Sequence, residues 1–228
     1  MPIAQRTMLI CTNPRSGSQW LAELIRSTAI LGNPQEYFHP KKRRSLSRGD
    51  IGTMVASMLA EGVTDNGIAA AKIMAYHFLK VSRAARLPEL LPDLRYVHLY
   101  RRDLLGQTIS HFRAGQTGGW NAWLKADRVP HYDGRALLKK LHGVTQNHAA
   151  WLFYFARTGV PFFDIAYEDL VSDPHATIAA LCRFMGVTPP SAPLKWERAV
   201  IQRDRINDEW RTRFLAEFGD RARFTISH

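Results

Sequence analysis

The sequence predicts an α/β protein with a central, mostly parallel sheet flanked by helices. Three observations carry this. Short apolar runs alternate with helical patterns along the chain, the order that parallel sheets require. The first apolar run passes through a Pro/Gly/Ser turn straight into a helix. No internal repeat interrupts the 228 residues, so a single domain over 1–228 is expected, and 46% apolar and 11% aromatic residues suffice for a sizeable core.

Leu9, Ile10 and Cys11 suit a buried strand that ends at Pro14, with Gly17 permitting a tight turn. Trp20, Leu21, Leu24 and Ile25 then share one side of a helix. A helix starting just after such a turn aims free N–H groups and the positive end of its dipole at one spot, which favours a phosphate. Arg15 adds a charged fork, and Ser16 and Ser18 add hydroxyl donors; the competing reading is a plain junction with capping serines. Gly32–Phe38 is a turn into an extended piece, where Glu36 beside two aromatics is a candidate general base or a plain loop glutamate. The run Lys41–Arg44 reads as a solvated loop.

Asp50 is the expected cap of a helix carrying Ile51, Met54, Val55, Met58 and Leu59. Residues 67–74 read as a buried strand. Its Lys72 either points a cation into a site at the strand's carboxyl end or snorkels to solvent. His77 is the alternative base, read first as structural. Leu94–Tyr100 is a strand stopping at Arg101-Arg102-Asp103, and a helix with Ser110 follows; two arginines and a serine there make a second anion site. Residues 115–134 form the longest loop-like stretch. A helix over 135–158 carries the stripe Leu137, Leu141, Val144, His148, Trp151 and Phe155, core packing first and a dimer surface second. Pro161–Tyr167 is the last strand, and Asp173-Pro174 caps a helix ending near Gly186. The charge-rich section from Glu197 to Arg223 closes the chain.

The formal net charge is +11, from 31 Lys and Arg against 20 Asp and Glu, which suggests an anionic partner. Cys11 and Cys182 sit in apolar surroundings and read as reduced thiols. There is no signal-peptide pattern and no apolar run long enough to span a bilayer, so a cytoplasmic location is expected. Two anion sites at strand ends fit a small molecule with two separated phosphate-like groups. A nucleotide kinase is the generic alternative, but the first loop lacks the Gly-Lys-Ser/Thr ending that holds terminal phosphates and magnesium. A nucleic-acid or polyanion binder is the other; no recognised nucleic-acid motif supports it.

Five segments in order resemble sulfotransferases that use 3′-phosphoadenosine 5′-phosphosulfate, and are most similar to the bacterial trehalose 2-sulfotransferase group. These are Pro14–Ser18, Gly32–Phe38, His98–Asp103 running to Ser110–Ala114 and on to Gln116, Thr117 and Trp120, Tyr167–Leu170 with Phe184–Val187, and Asp208–Trp210 with Arg213 and Phe214. The resemblance implies a P-loop-like sulfotransferase fold, a small-molecule donor and a hydroxylated acceptor, and a homodimer. It implies that Arg15, Ser16, Gly17, Ser18, Gln19 and Trp20 hold the 5′-phosphosulfate, that Arg101 or Arg102 with Ser110 holds the 3′-phosphate, and that Glu36 is the base. Arg15 and Lys72 would supply charge to the reacting centre. No metal is expected, because no Cys/His cluster has ligand spacing. Residues 39–66 and 118–134 lie outside the resemblance and would shape the acceptor pocket, leaving the acceptor unnamed.

Overall fold

The computed structural model describes residues 2–40, 45–120, 128–195 and 205–220. Lys41–Arg44, the middle of the 115–134 stretch and parts of the 197–223 section lie outside them. The described chain divides into two compact units, residues 1–102 with 147–197 and residues 103–146 with 198–228.

The first unit holds a four-stranded, wholly parallel sheet in the order β2-β1-β3-β4. The strands are β1 (Arg6–Thr12), β2 (Ile68–Met74), β3 (Leu94–Tyr100) and β4 (Phe162–Ala166). Around them lie α1 (Ser18–Ser27), α2 (Arg48–Glu61), α3 (Ala75–Ala84), α6 (Tyr167–Ser172) and α7 (Pro174–Phe184). Helix α5 (Gly134–Thr158) gives this unit its second half.

Alternation along the strands splits the core in two, because successive side chains leave opposite faces. Leu9 and Cys11 of β1, Ala69, Ala71 and Ile73 of β2 and Tyr96 of β3 join one cluster with Ile51, Val55 and Met58 of α2, Phe78 of α3, and Trp151 and Phe155 of α5. Met8, Ile10, Ile68, Ala70, Val97 and Leu99 join the other, with Leu21, Leu24 and Ile25 of α1 and Ile178, Leu181 and Cys182 of α7. A sheet covered on both faces is the doubly wound arrangement, in which strands are apolar throughout. Truncating a side chain as large and buried as Trp151 costs about 3–5 kcal/mol. Cys11 and Cys182 are buried free thiols in opposite clusters, and burial raises the pKa of each, so both stay protonated and inert.

The second unit is helical. It contains α4 (Leu104–Thr117), the first half of α5, and α8 (Arg205–Phe218), packed on Ile109, Leu137, Trp210 and Phe214. Asp103 caps α4 by accepting from the Gly106 N–H, and Arg211 of α8 clamps the same carboxylate at 2.5 and 2.6 Å. Ser110 lies half-buried on α4. Helix α4 runs through Gly115 to Thr117 and ends at Gly118, so the loop-like stretch begins at 118 rather than 115.

A second boundary differs from the sequence reading. Asp50 does not cap α2; Ser47 does, accepting from the Asp50 N–H, while the Asp50 carboxylate accepts from the Ser47 N–H. This reciprocal pair places Asp50 one turn inside the helix, where its charge meets the positive dipole end. His148 is half-buried rather than core, stacked on His98 and tilted against Tyr100, with ring centroids 5.6 and 5.5 Å away. Among the described residues no helix is long and apolar enough to cross a membrane.

Candidate active site

Parallel register brings the carboxyl ends of the strands to one edge of the sheet: Thr12 pairs with Met74, Cys11 with His98, and Tyr100 with Ala166. Open α/β sheets bind ligands at that edge, and the candidate residues of the first unit gather there.

The loop after β1 is held from below. Thr12 Oγ1 donates to the Leu99 carbonyl at 3.0 Å, which leaves Ser16 as the donor in its 2.5 Å bond with Thr12. The Thr12 carbonyl accepts from Trp151 Nε1 at 3.0 Å. Arg15 and Gly17 have left-handed φ values of 65° and 88°, so the chain curls around Ser16. Gly17 is the N-cap of α1, and no side chain caps that helix. The capping-serine reading therefore does not describe this junction. Ser16 spends its hydroxyl on Thr12, and what it offers outward is backbone. Such a loop before an uncapped helix start fits a phosphate group.

Tyr167, the first residue of α6, lies directly against Gly17, and a Cβ at position 17 would run into its ring. Trp20 stands at a steep angle to that ring with centroids 6.5 Å apart, and the Arg101 guanidinium sits over it, 5.0 Å from the centroid. Arg101 is thus drawn toward the loop. Arg102 points elsewhere. Its guanidinium makes two 2.6 Å bonds to Asp169, a solvent-exposed fork that raises the arginine pKa and lowers the Asp169 pKa, the hydrogen bonds being the main cause of both shifts.

The second cluster is built from side chains. Segment 32–36 runs beside β2, where Gln35 bridges to Ala71 and its carbonyl accepts from the Lys72 N–H at 2.9 Å. Gly32, at φ 82°, permits that approach, since a Cβ there would strike Ala70. The segment delivers Glu36 to Lys72. The buried ammonium lies 3.3 Å from Glu36 Oε1 and donates to Gln19 Oε1 at 3.1 Å. Lys72 therefore turns into the site, and Gln19 ties it to the first turn of α1. Beside this trio stand His39 and His77, their rings 4.5 Å apart. Burial pushes the His77 pKa down to about 4, helped by His39 and opposed by Glu36, so this imidazole is neutral at pH 7.

Several contributors were missed by sequence reasoning. His39 follows Glu36 by three positions and was legible as a spacing, although nothing in the sequence announced that α3 brings His77 beside it. Tyr167 stood in a recognised segment without a role. The Trp151 bond to the loop, 139 residues away, has no local signal.

A curled loop at a strand's carboxyl end before an uncapped helix, on a doubly wound parallel sheet, places the protein in the P-loop-like α/β fold class. The family model for Stf0 sulphotransferase matches residues 7–84 and 53–217. The chain belongs to that family and is a sulfotransferase. It is 30% identical to trehalose 2-sulfotransferase of Mycobacterium tuberculosis, across 95% of this chain and 97% of that one. It is 25% identical to the Mycolicibacterium smegmatis trehalose 2-sulfotransferase, across 90% and 93%. Its fold resembles a sulfotransferase from Alicyclobacillus acidocaldarius at a TM-score of 0.57 and 14% identity, covering 94% of this chain and 93% of the other.

Proposed function

We propose that the chain acts as one sulfotransferase domain. It moves a sulfonyl group from 3′-phosphoadenosine 5′-phosphosulfate to a hydroxyl of a carbohydrate or glycolipid-like acceptor, with Glu36 as general base. The observation that carries this reading is the Glu36–Lys72–Gln19 contact, which ties a candidate base through 3.3 and 3.1 Å contacts to the helix whose start forms the phosphate loop. The resemblance to two trehalose 2-sulfotransferases supports a carbohydrate acceptor.

In this mechanism the acceptor oxygen attacks sulfur in line, the bond from sulfur to the bridging phosphate oxygen breaks, and adenosine 3′,5′-bisphosphate leaves. The hydroxyl proton passes to a Glu36 carboxylate oxygen. A hydroxyl is a poor nucleophile at neutral pH, and a positioned base contributes typically ~10²–10⁴-fold. Negative charge grows on the departing phosphate, where Arg15 and the backbone N–H groups of Ser16, Gly17 and Ser18 stabilise it, with Gln19 and Trp20 completing the wall. Lys72 supplies charge at the sulfonate. Arg101 holds the 3′-phosphate, because Arg102 is committed to Asp169.

The test is turnover and donor affinity together. Glu36→Gln should remove most sulfonyl transfer and leave adenosine 3′,5′-bisphosphate binding within about twofold; undiminished turnover would take Glu36 out of the mechanism. Binding of ATP-Mg in preference to the bisphosphate would overturn the donor.

A further inference from the structure

Glu36, His39 and His77 each present a ligand atom, and these three atoms lie within 4.8 Å of one another. One carboxylate and two imidazoles are the donor set that zinc takes in many three-ligand sites with an open fourth position. His39 is exposed, which leaves an entry path from solvent, while His77 and the Glu36 segment are fixed by α3 and β2. Lys72 opposes a cation here, but it lies by one Glu36 oxygen, and a carboxylate has a second.

We propose that Glu36, His39 and His77 form a binding site for a zinc-like transition-metal ion, and that its occupancy switches the enzyme off. The two functions of Glu36 exclude each other: a carboxylate whose lone pairs face a metal cannot accept the acceptor's proton. The inhibitory half rests on Glu36 being the base, whereas the site itself does not. The harder cations Mg²⁺ and Ca²⁺ prefer oxygen-rich shells and are not expected to bind.

The experiment is calorimetric titration of the full chain with Zn²⁺ and, separately, Mg²⁺, repeated on His39→Ala. Because residue 39 is exposed, that variant keeps the fold; far-ultraviolet dichroism checks it. The expected result is one Zn²⁺ per chain, weakened at least tenfold by His39→Ala, with no Mg²⁺ heat. Co²⁺ in place of Zn²⁺ should give the visible absorption of a four- or five-coordinate site, again lost in the variant. Zinc binding equal in both proteins, or no binding at all, overturns the site. Turnover in saturating Zn²⁺ is then compared with each protein's own zinc-free rate. Chelator-reversible inhibition of the unmodified enzyme, relieved in His39→Ala, supports both halves. Zinc bound through His39 with turnover undiminished supports the site and overturns the base assignment.

Discussion

The two halves of the candidate site are made of different material. The loop after β1 is backbone bent by two left-handed residues, fastened underneath by Thr12, Ser16, Leu99 and Trp151, and closed on one side by the Tyr167 ring. The Glu36 cluster, drawn from residues between 36 and 77, is made of side chains: a buried lysine, a half-buried glutamate and two histidines. The first half is suited to an invariant ligand group, since backbone shape changes little with pH or local substitution. The second is suited to chemistry, because its groups carry protons and charge. The contrast teaches that donor recognition and catalysis should fail separately.

The sharpest test of that separation has the largest expected effect. Glu36→Gln keeps the size and one hydrogen-bonding oxygen, and should lower turnover by about 10²–10⁴-fold while the bisphosphate affinity stays nearly constant. On the loop side, Arg101→Ala should weaken bisphosphate binding by roughly 10–100-fold by calorimetry, as loss of a charge-assisted contact does. Arg102→Ala should cost less than about threefold, since its fork with Asp169 is exposed and worth little. Equal losses in the two variants would break the assignment of the 3′-phosphate to Arg101.

Gly17→Ala probes the backbone itself. A Cβ at φ 88° is strained by about 1–2 kcal/mol and must also displace the Tyr167 ring. A melting temperature lower by several degrees, with donor affinity reduced tenfold or so, is expected. Normal donor affinity in that variant would mean that the loop's curl is not what holds the phosphate.

The last effect, on stability rather than activity, belongs to the other half. His77 has its folded pKa depressed from 6.5 to about 4, so the unfolded chain binds the extra proton first. Its contribution to stability is complete above pH 6.5 and is lost as pH falls toward 4, amounting to no more than about 3 kcal/mol. Denaturant midpoints taken from pH 7 down to pH 4.5 should therefore decline, and His77→Gln should flatten that decline. An equal slope in both proteins would show that other groups set the acid limit.

The fold was legible because its signals are local and repeated. Short apolar runs marked β1 and β3, and the Asp173-Pro174 pair and Gly186 marked the ends of α7. Much of the site was legible for the same reason: the loop 14–18, Glu36 and Lys72 each stood out in their own segments. What no local signal carried was the pairing between segments. Nothing near Arg102 announces Asp169, 67 residues on, and nothing near Glu36 announces His77 on another element. The cap of α2 was misjudged by three residues because Ser47 and Asp50 are both good caps, and only the reciprocal bond geometry ranks them.

The indole of Trp151 that supports the Thr12 carbonyl also sets a timetable. The loop is encoded within the first twenty residues, yet its floor is supplied by a residue 139 positions later. A chain emerging from the ribosome can form α1 early, but closing so long an interval is entropically slow and waits for α5 to be made and docked. The floor of that loop therefore forms only once residue 151 has been made, and a nascent chain that stops short of it has the loop without its support.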